Sequence, residues 1–429
     1  MAHFPKPAAG SWTENYPDLG TEPVDYTDSI DPAFFEAERD AIFKRTWLNV
    51  GRVDRLPRTG SYFTKELPSA GKGMSVIIVK TKDGSVKAYH NVCRHRGNKL
   101  VWNDFPHEET SGTCRQFTCK YHAWRYNLDG DLTFIQQEDE FFDVDKDQYG
   151  LVGVRCELWE GFIFINFDQH AKPLLDYLGP LAKGIEGYPF GEMTETYSYR
   201  AEVGSNWKLF MDAFAEFYHA PVLHQGQYTK EEAAKIAKYG FEALYYEMAS
   251  PHAMISTWGG QAPPADMSMV KPMDQALRSG LFGPWDKPDI IANFGELPPG
   301  INPKKVKQWG IDEWHFYPNF MLLIWEPGWF LTYHYWPTAV DKHIFEATLY
   351  FVPPRNARER LAQELAAVTF KEYALQDANT LEATQTMIGT RVVSDFLLCD
   401  QEIMLRHLHK VTNDFVEEHR NNGATASIR

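Results

Sequence analysis

Two short segments, Cys93-Arg-His95 and Cys119-Lys-Tyr-His122, each place a cysteine and a histidine on one loop. Four ligand-type side chains constrain the fold more than any other feature, because a scaffold must bring both loops to one point. The sequence around them, from Leu48 to Asp168, reads as such a scaffold. Short β-type runs such as Ser75-Val-Ile-Ile-Val79 and Gly161-Phe-Ile-Phe-Ile-Asn166 are punctuated by the turn signals Asp83-Gly84 and Asp129-Gly130. A compact all-β domain is expected, with both loops at one end of it. The loops themselves read three ways: a [2Fe–2S] cluster with two thiolates on one iron and two imidazoles on the other, a tetrahedral zinc site, or unrelated buried residues. Zinc fingers usually pair Cys with Cys and His with His, whereas each loop here carries one of each, which favours the cluster.

The chain has five cysteines, an odd and small number that argues against a secreted disulfide framework and for reduced thiols. Cys114 lies close to Cys119 but has no histidine at matching spacing, and reads as a core or loop thiol. A net charge of −15 makes nucleic acid an unexpected partner. No stretch approaches the roughly 18 apolar residues of a membrane span, and the opening residues lack the apolar segment of a signal peptide. The expectation is a cytoplasmic protein with no membrane association.

At 429 residues the chain can hold two cores. Asp31-Pro32 predicts the start of a short amphipathic helix running towards Trp47. Residues 1–47 are read as a helical segment packing on the catalytic domain, 48–168 as the β domain, and 169–429 as an α+β domain. Within the last, a helical pattern covers Asn206 to Tyr218, and a Gly/Pro/Met-rich stretch runs from Pro251 to Pro303. Strand-like aromatic runs follow from Trp314 to Phe351. Asn356 and Glu359 form a capping-box pattern for a helix ending near Gly389, and a last helix is expected over Ser394 to His419.

A second constellation lies in the α+β part: Glu216, then His219, then His224. Glu216 and His219 would share a helix face, and Pro221 would bend or break the helix so that both imidazoles converge. Two histidines and a carboxylate on one face of Fe(II) leave positions open for O2 and substrate. Spacing alone leaves an ordinary reading equally open, with the histidines as capping or core residues.

The run Cys93-Arg-His95-Arg-Gly97, then Cys119-Lys-Tyr-His122-Ala-Trp124, then Asp129-Gly130 resembles the Rieske domain of ring-hydroxylating oxygenases. The Asn206–His224 run resembles the mononuclear-iron motif of the same family. Lys120 stands where proline is common, Ala123 where glycine is common, and Glu216 where aspartate is common. The resemblance implies an α+β fold with an all-β Rieske [2Fe–2S] domain inserted in a helix-grip-like α+β catalytic domain. It makes Cys93, His95, Cys119 and His122 the cluster ligands, and His219, His224 and Asp377 the ligands of the mononuclear Fe(II). Asp377 is placed by the resemblance alone, since its spacing reads as an ordinary solvated helix residue. Glu216 becomes the catalytic carboxylate linking the two metal centres across a subunit boundary, which implies a homotrimer, with or without a small β subunit.

The implied activity is that of an oxygenase component using O2 and electrons from NAD(P)H, delivered by a ferredoxin or flavin reductase, to hydroxylate a small hydrophobic, aromatic substrate. Ring dioxygenation is favoured, and the alternative is monooxygenation by hydroxylation or O- or N-demethylation. Phe214 and Tyr373 are candidate pocket residues, although aromatic residues at such spacing are often plain core. Arg94, Arg96, Lys99, Arg115, Lys120 and Arg125 surround the cluster loops of an acidic chain, which predicts a docking patch for an acidic electron donor.

Overall fold

The computed structural model describes residues 11–102, 110–226, 228, 230, 243–258, 263–264, 266–280, 282–307 and 309–426. The first residues of the expected 1–47 segment and part of the 251–303 stretch lie outside them. The chain divides into two compact units, residues 39–177 and residues 1–38 with 178–429. The first unit thus begins at 39 rather than 48 and ends at 177 rather than 168, and the leading segment is shared between the units. Its helix is α-helical only over Pro32–Glu38 and continues as a wider π-type turn over Arg39–Phe43.

The paired strands of the first unit are all antiparallel among the described residues. Strands β1 (Leu48–Arg52), β2 (Ser61–Glu66), β3 (Ser75–Lys80), β4 (Val86–His90), β5 (Ser111–Thr113), β9 (Gly153–Trp159) and β10 (Phe162–Asn166) form one seven-stranded sheet, in the order β1-β10-β9-β4-β3-β2-β5. Strands β6 (Gln116–Thr118), β7 (Arg125–Asn127) and β8 (Leu132–Phe134) form a second sheet. Val76 to Val79 are fully buried, as a continuous β-branched run predicts. The Asp83-Gly84 turn forms, with the Asp83 carboxylate accepting from the Ser85 amide at 3.0 Å and Gly84 at φ 88°. Ile77, Val79, Tyr89, Phe117, Tyr126 and Leu132 fill one cluster that includes Cys93 and Cys119. The two thiols are therefore core residues of their own domain.

In the second unit, β11 (Glu195–Val203), β12 (Ala243–Ala249), β13 (His252–Trp258), β14 (Trp309–Phe316), β15 (Phe320–Trp325), β16 (Trp329–Ala339) and β17 (Lys342–Phe351) form a seven-stranded antiparallel sheet. The order is β11-β17-β16-β15-β14-β13-β12. Edge strand β11 alternates between half-buried and exposed residues over most of its length, while the central β14 and β15 are buried at every position. Helices α1 (Trp207–Asp212), α2 (Ala220–Leu223), α3 (Ala357–Ile388) and α4 (Ile403–Ala426) belong to the same unit. Asn356 caps α3 by accepting from the Glu359 amide at 3.0 Å, and Glu359 returns to the Arg355 amide at 2.8 Å, one residue before the cap.

Two expectations fail here. The helix predicted to Tyr218 stops at Asp212. The last helix starts at Ile403 rather than Ser394, because Asp395–Phe396 instead pairs with Val24–Asp25. Buried charges fix α1: Lys208 Nζ meets Glu38 at 2.6 Å with both side chains fully buried, and His409 on α4 lies 2.7 Å from Asp28 and 3.2 Å from Asp212. Removing one partner of such a pair strands a buried charge and costs about 3–5 kcal/mol, so α1 is held firmly where it leads into residues 213–224.

Candidate metal centres

The two Cys/His loops share one backbone design. In the first, the Cys93 amide donates to the Asn98 carbonyl at 2.8 Å and the Gly97 amide to the Cys93 carbonyl at 3.0 Å. In the second, the Cys119 amide donates to Trp124 at 2.8 Å and the Ala123 amide to Cys119 at 3.0 Å. The residue closing each turn is left-handed, Gly97 at φ 73° and Ala123 at φ 59°. Glycine adopts that conformation at no steric cost, which explains why glycine suits both positions. Cys93 and Cys119 are buried, and His95 and His122 are half-buried with their Nδ1 atoms 3.1 Å apart. Trp124 stacks on His95, with centroids 4.9 Å apart. Tyr126 Oη lies 3.3 Å from Cys93 Sγ and accepts from the Arg94 amide at 3.0 Å. Burial pushes the Cys93 thiol upward, against the Tyr126 hydrogen bond. Two buried thiols beneath two facing imidazole nitrogens fit a binuclear cluster with its thiolate iron inside and its imidazole iron outside. Of the six basic residues named above, Arg96, Arg115 and Lys120 are exposed, and Arg94, Lys99 and Arg125 are half-buried.

The second set converges although the predicted helix does not form. Residues 213–219 lie outside any assigned helix, and Pro221, instead of kinking a continuous helix, sits in the first turn of the new helix α2. The ligand atoms of His219, His224 and Asp377 all lie within 4.8 Å of one another. Their Nε2 atoms are 3.2 Å apart, and Asp377 Oδ1 is 3.3 Å from His224 Nε2 and 3.8 Å from His219 Nε2. Ligands about 2.1 Å from one ion and at right angles stand about 3 Å apart, so the spacing suits a facial set. Each imidazole is oriented through its other nitrogen: His219 Nδ1 meets Glu216 Oε1 at 2.5 Å, and His224 Nδ1 meets Gln376 Oε1 at 2.7 Å. Both acceptors hold the Nδ1–H tautomer and turn Nε2 inward. Burial opposes charging of His219, but the bond and charge of Glu216, with Asp377 beyond, raise it on balance. Among the described residues neither buried Asp377 oxygen has a hydrogen-bond partner. An orphaned carboxylate facing two imidazole nitrogens is costly unless a cation sits between them.

A cavity of about 710 Å³, its open mouth included, adjoins this set. Phe214 and Tyr373 are in its lining, with Phe217, Tyr228, Phe282, Trp325, Tyr333 and Phe370. Thr257 and Glu313 also line it; among the described residues the buried Thr257 hydroxyl and Trp325 indole N–H have no hydrogen-bond partner.

Comparison with known families bears on both centres. The family described as the Rieske [2Fe–2S] domain matches residues 46–148, and that described as the ring hydroxylating alpha subunit (catalytic domain) matches residues 190–418, more than half of the chain. The chain is a Rieske ring-hydroxylating oxygenase alpha subunit by family. With that membership come a [2Fe–2S] cluster in one domain and a mononuclear iron in the other. The carnitine monooxygenase oxygenase subunit of Escherichia coli (strain K12) is 32% identical over 264 residues, 60% of this chain and 64% of that protein. The large oxygenase component of the 2,4-dinitrotoluene dioxygenase system of Burkholderia sp. (strain RASC) is 34% identical over 210 residues, 46% of this chain and 44% of that one. The matched region thus spans about half to two thirds of these relatives. A quaternary ammonium Rieske monooxygenase in complex with L-carnitine has the same fold, with a TM-score of 0.68 at 19% identity over 92% of this chain and 95% of that one.

In this Rieske oxygenase subunit, sequence reasoning missed Gln376, although it adjoins Asp377, because a glutamine beside a ligand carries no motif. Glu313 and His315, a buried pair 2.6 Å apart, were missed because strand register alone brings Glu313 to the cavity.

Proposed function

We propose that this subunit is the oxygenase component of a monooxygenase acting on a small quaternary ammonium compound, in place of the ring dioxygenation that the sequence favoured. The supporting observation is the cavity beside His219, His224 and Asp377. Its wall is largely aromatic, and aromatic faces attract alkylammonium groups by cation–π interaction. Likeness to a carnitine monooxygenase points the same way. Ring dioxygenation stays as a second reading, favoured by the 34% identity to the dinitrotoluene dioxygenase component.

Under this reading Cys93, His95, Cys119 and His122 hold the cluster, and His219, His224 and Asp377 hold the mononuclear iron. The metals supply electron storage and O2 activation. Hydroxylation of a carbon next to nitrogen consumes one O2, two electrons and two protons and yields a carbinol and water. The carbinol splits into a tertiary amine, a carbonyl compound and a proton. Glu216 accepts the His219 Nδ1 hydrogen bond and provides a proton acceptor at the link between centres. Gln376 fixes His224, and the aromatic wall orients substrate and excludes water. Electrons come from NAD(P)H through a ferredoxin or flavin reductase docking at the basic residues around the cluster, in a homotrimeric assembly. Reduction by that donor should slow steeply with added salt.

The test is incubation with NADH, a surrogate reductase and a panel of trimethylammonium compounds and aromatic substrates. Tertiary amine and carbonyl product, formed with matching O2 uptake, are the expected result. cis-Diols from the aromatic members, with no amine released, would establish the second reading instead.

A further inference from the structure

One wall of the cavity is the sheet, and its side-chain rows can be read from register. Alternate residues of β14 point the same way, so Ile311, Glu313 and His315 share a face. Glu313 is paired across to Ile255 on β13 and to Leu323 on β15, both apolar. It is 2% exposed, yet it lines the cavity. Among the described residues its one ion-pairing partner is His315, whose Nε2 is 2.6 Å from Glu313 Oε1. The His315 ring also bonds the backbone of Phe214, burial pushes it down to about 3, and burial drives Glu313 well above the carboxylate range. Both shifts favour the uncharged pair, with the proton on Glu313. For a purely apolar ligand such a carboxyl is a liability, because burying it costs desolvation that a leucine would avoid. For a cation it is a latent counter-charge.

We propose that Glu313 is the counter-ion that sets specificity in this cavity, selecting an alkylammonium group over its uncharged carbon isostere. The proposal rests on the quaternary ammonium reading above for its substrate class. When the cation enters, the proton of the dyad moves from the Glu313 oxygen to His315 Nε2. The carboxylate then lies between the ammonium of the ligand and the His315 imidazolium, which the Phe214 carbonyl also holds. No atom is lost or gained.

The experiment measures dissociation constants by calorimetry on the full iron-loaded chain, for γ-butyrobetaine and for 5,5-dimethylhexanoate, in which carbon replaces nitrogen. The wild type should prefer the ammonium compound at least about tenfold. Glu313→Gln should abolish most of that preference by weakening the ammonium ligand alone, and Glu313→Asp, which keeps the charge, should restore part of it. Iron content and cluster absorbance should stay unchanged in both variants. A wild type without preference, a Glu313→Gln variant that keeps it, or one that weakens both ligands equally would each overturn the proposal. Preferential binding without oxidation of γ-butyrobetaine or any other trimethylammonium compound would leave Glu313 in this role and defeat the monooxygenase reading instead.

Discussion

The two ligand sets are built in opposite ways. The Cys/His loops are rigid locally, each closed by two backbone hydrogen bonds between residues no more than five apart. The His219–His224–Asp377 set draws on the two caps of the short helix α2 and on a helix more than a hundred residues later, and rests on buried charge pairs around α1. A locally closed loop can form before its surroundings, whereas the triad exists only once α1, α2 and α3 are packed. The first centre should therefore survive damage to the second. Asp377→Ala is the sharpest test: it should lose one iron per chain, counted by elemental assay, and activity should fall by more than the roughly 100-fold typical of outer-sphere changes. Cluster absorbance should stay intact, and its loss would break the contrast.

Glu216→Gln comes next. It keeps a hydrogen-bonding side chain beside His219 but removes the charge and the proton acceptor, so both metals should remain while product formation drops about 100-fold. Unchanged product formation would exclude a linking role. Smaller again is Gln376→Leu, which frees His224 Nδ1 and should weaken iron binding about 10- to 100-fold, measured by competition with a chelator, with the cluster untouched.

The dependence of the second unit on buried charge also predicts a pH effect. His409 is pushed up to about 10: burial opposes its charge, but Asp28 and Asp212 outweigh burial. A folded pKa above the unfolded value of about 6.5 means the stabilisation is complete below that value and is lost as pH climbs towards 10. Thermal unfolding of this unit should weaken by on the order of a few kcal/mol between pH 7 and pH 10, with the three groups titrating together. His409→Asn should start less stable and lose this slope. A variant with the wild-type slope would place the pH dependence elsewhere.

What the sequence disclosed follows the same division. The β runs, the Asp83-Gly84 turn and the Asn356 cap are local chemistry, and each formed where it was predicted. The halt of α1 at Asp212 was invisible, because Ala213-Phe-Ala-Glu-Phe-Tyr-His219 reads as continuing helix. Tertiary constraint overrides that propensity, since a straight helix would diverge His219 from His224. Asp377 was reachable by resemblance but not by spacing, and the role of Gln376 required knowing where His224 points. The Glu313 carboxyl lay further off, brought to the cavity wall only by strand register.

The smallest effect tests the shared loop design itself. Gly97 and Ala123 hold equivalent left-handed positions, but only one is glycine. A Cβ built on Gly97 would meet nothing within 4 Å, so Gly97→Ala is opposed by backbone strain alone and should cost about 1 kcal/mol. Ala123 already bears that strain, and Ala123→Gly should relieve it, offset in part by the greater freedom of glycine in the unfolded chain, for a net gain of about 0.5 kcal/mol. Chemical denaturation of the two variants should therefore move the midpoint in opposite directions, with cluster absorbance unchanged in both. If both changes destabilise, the loops are not equivalent, and the Ala123 methyl is doing packing work that its backbone does not reveal.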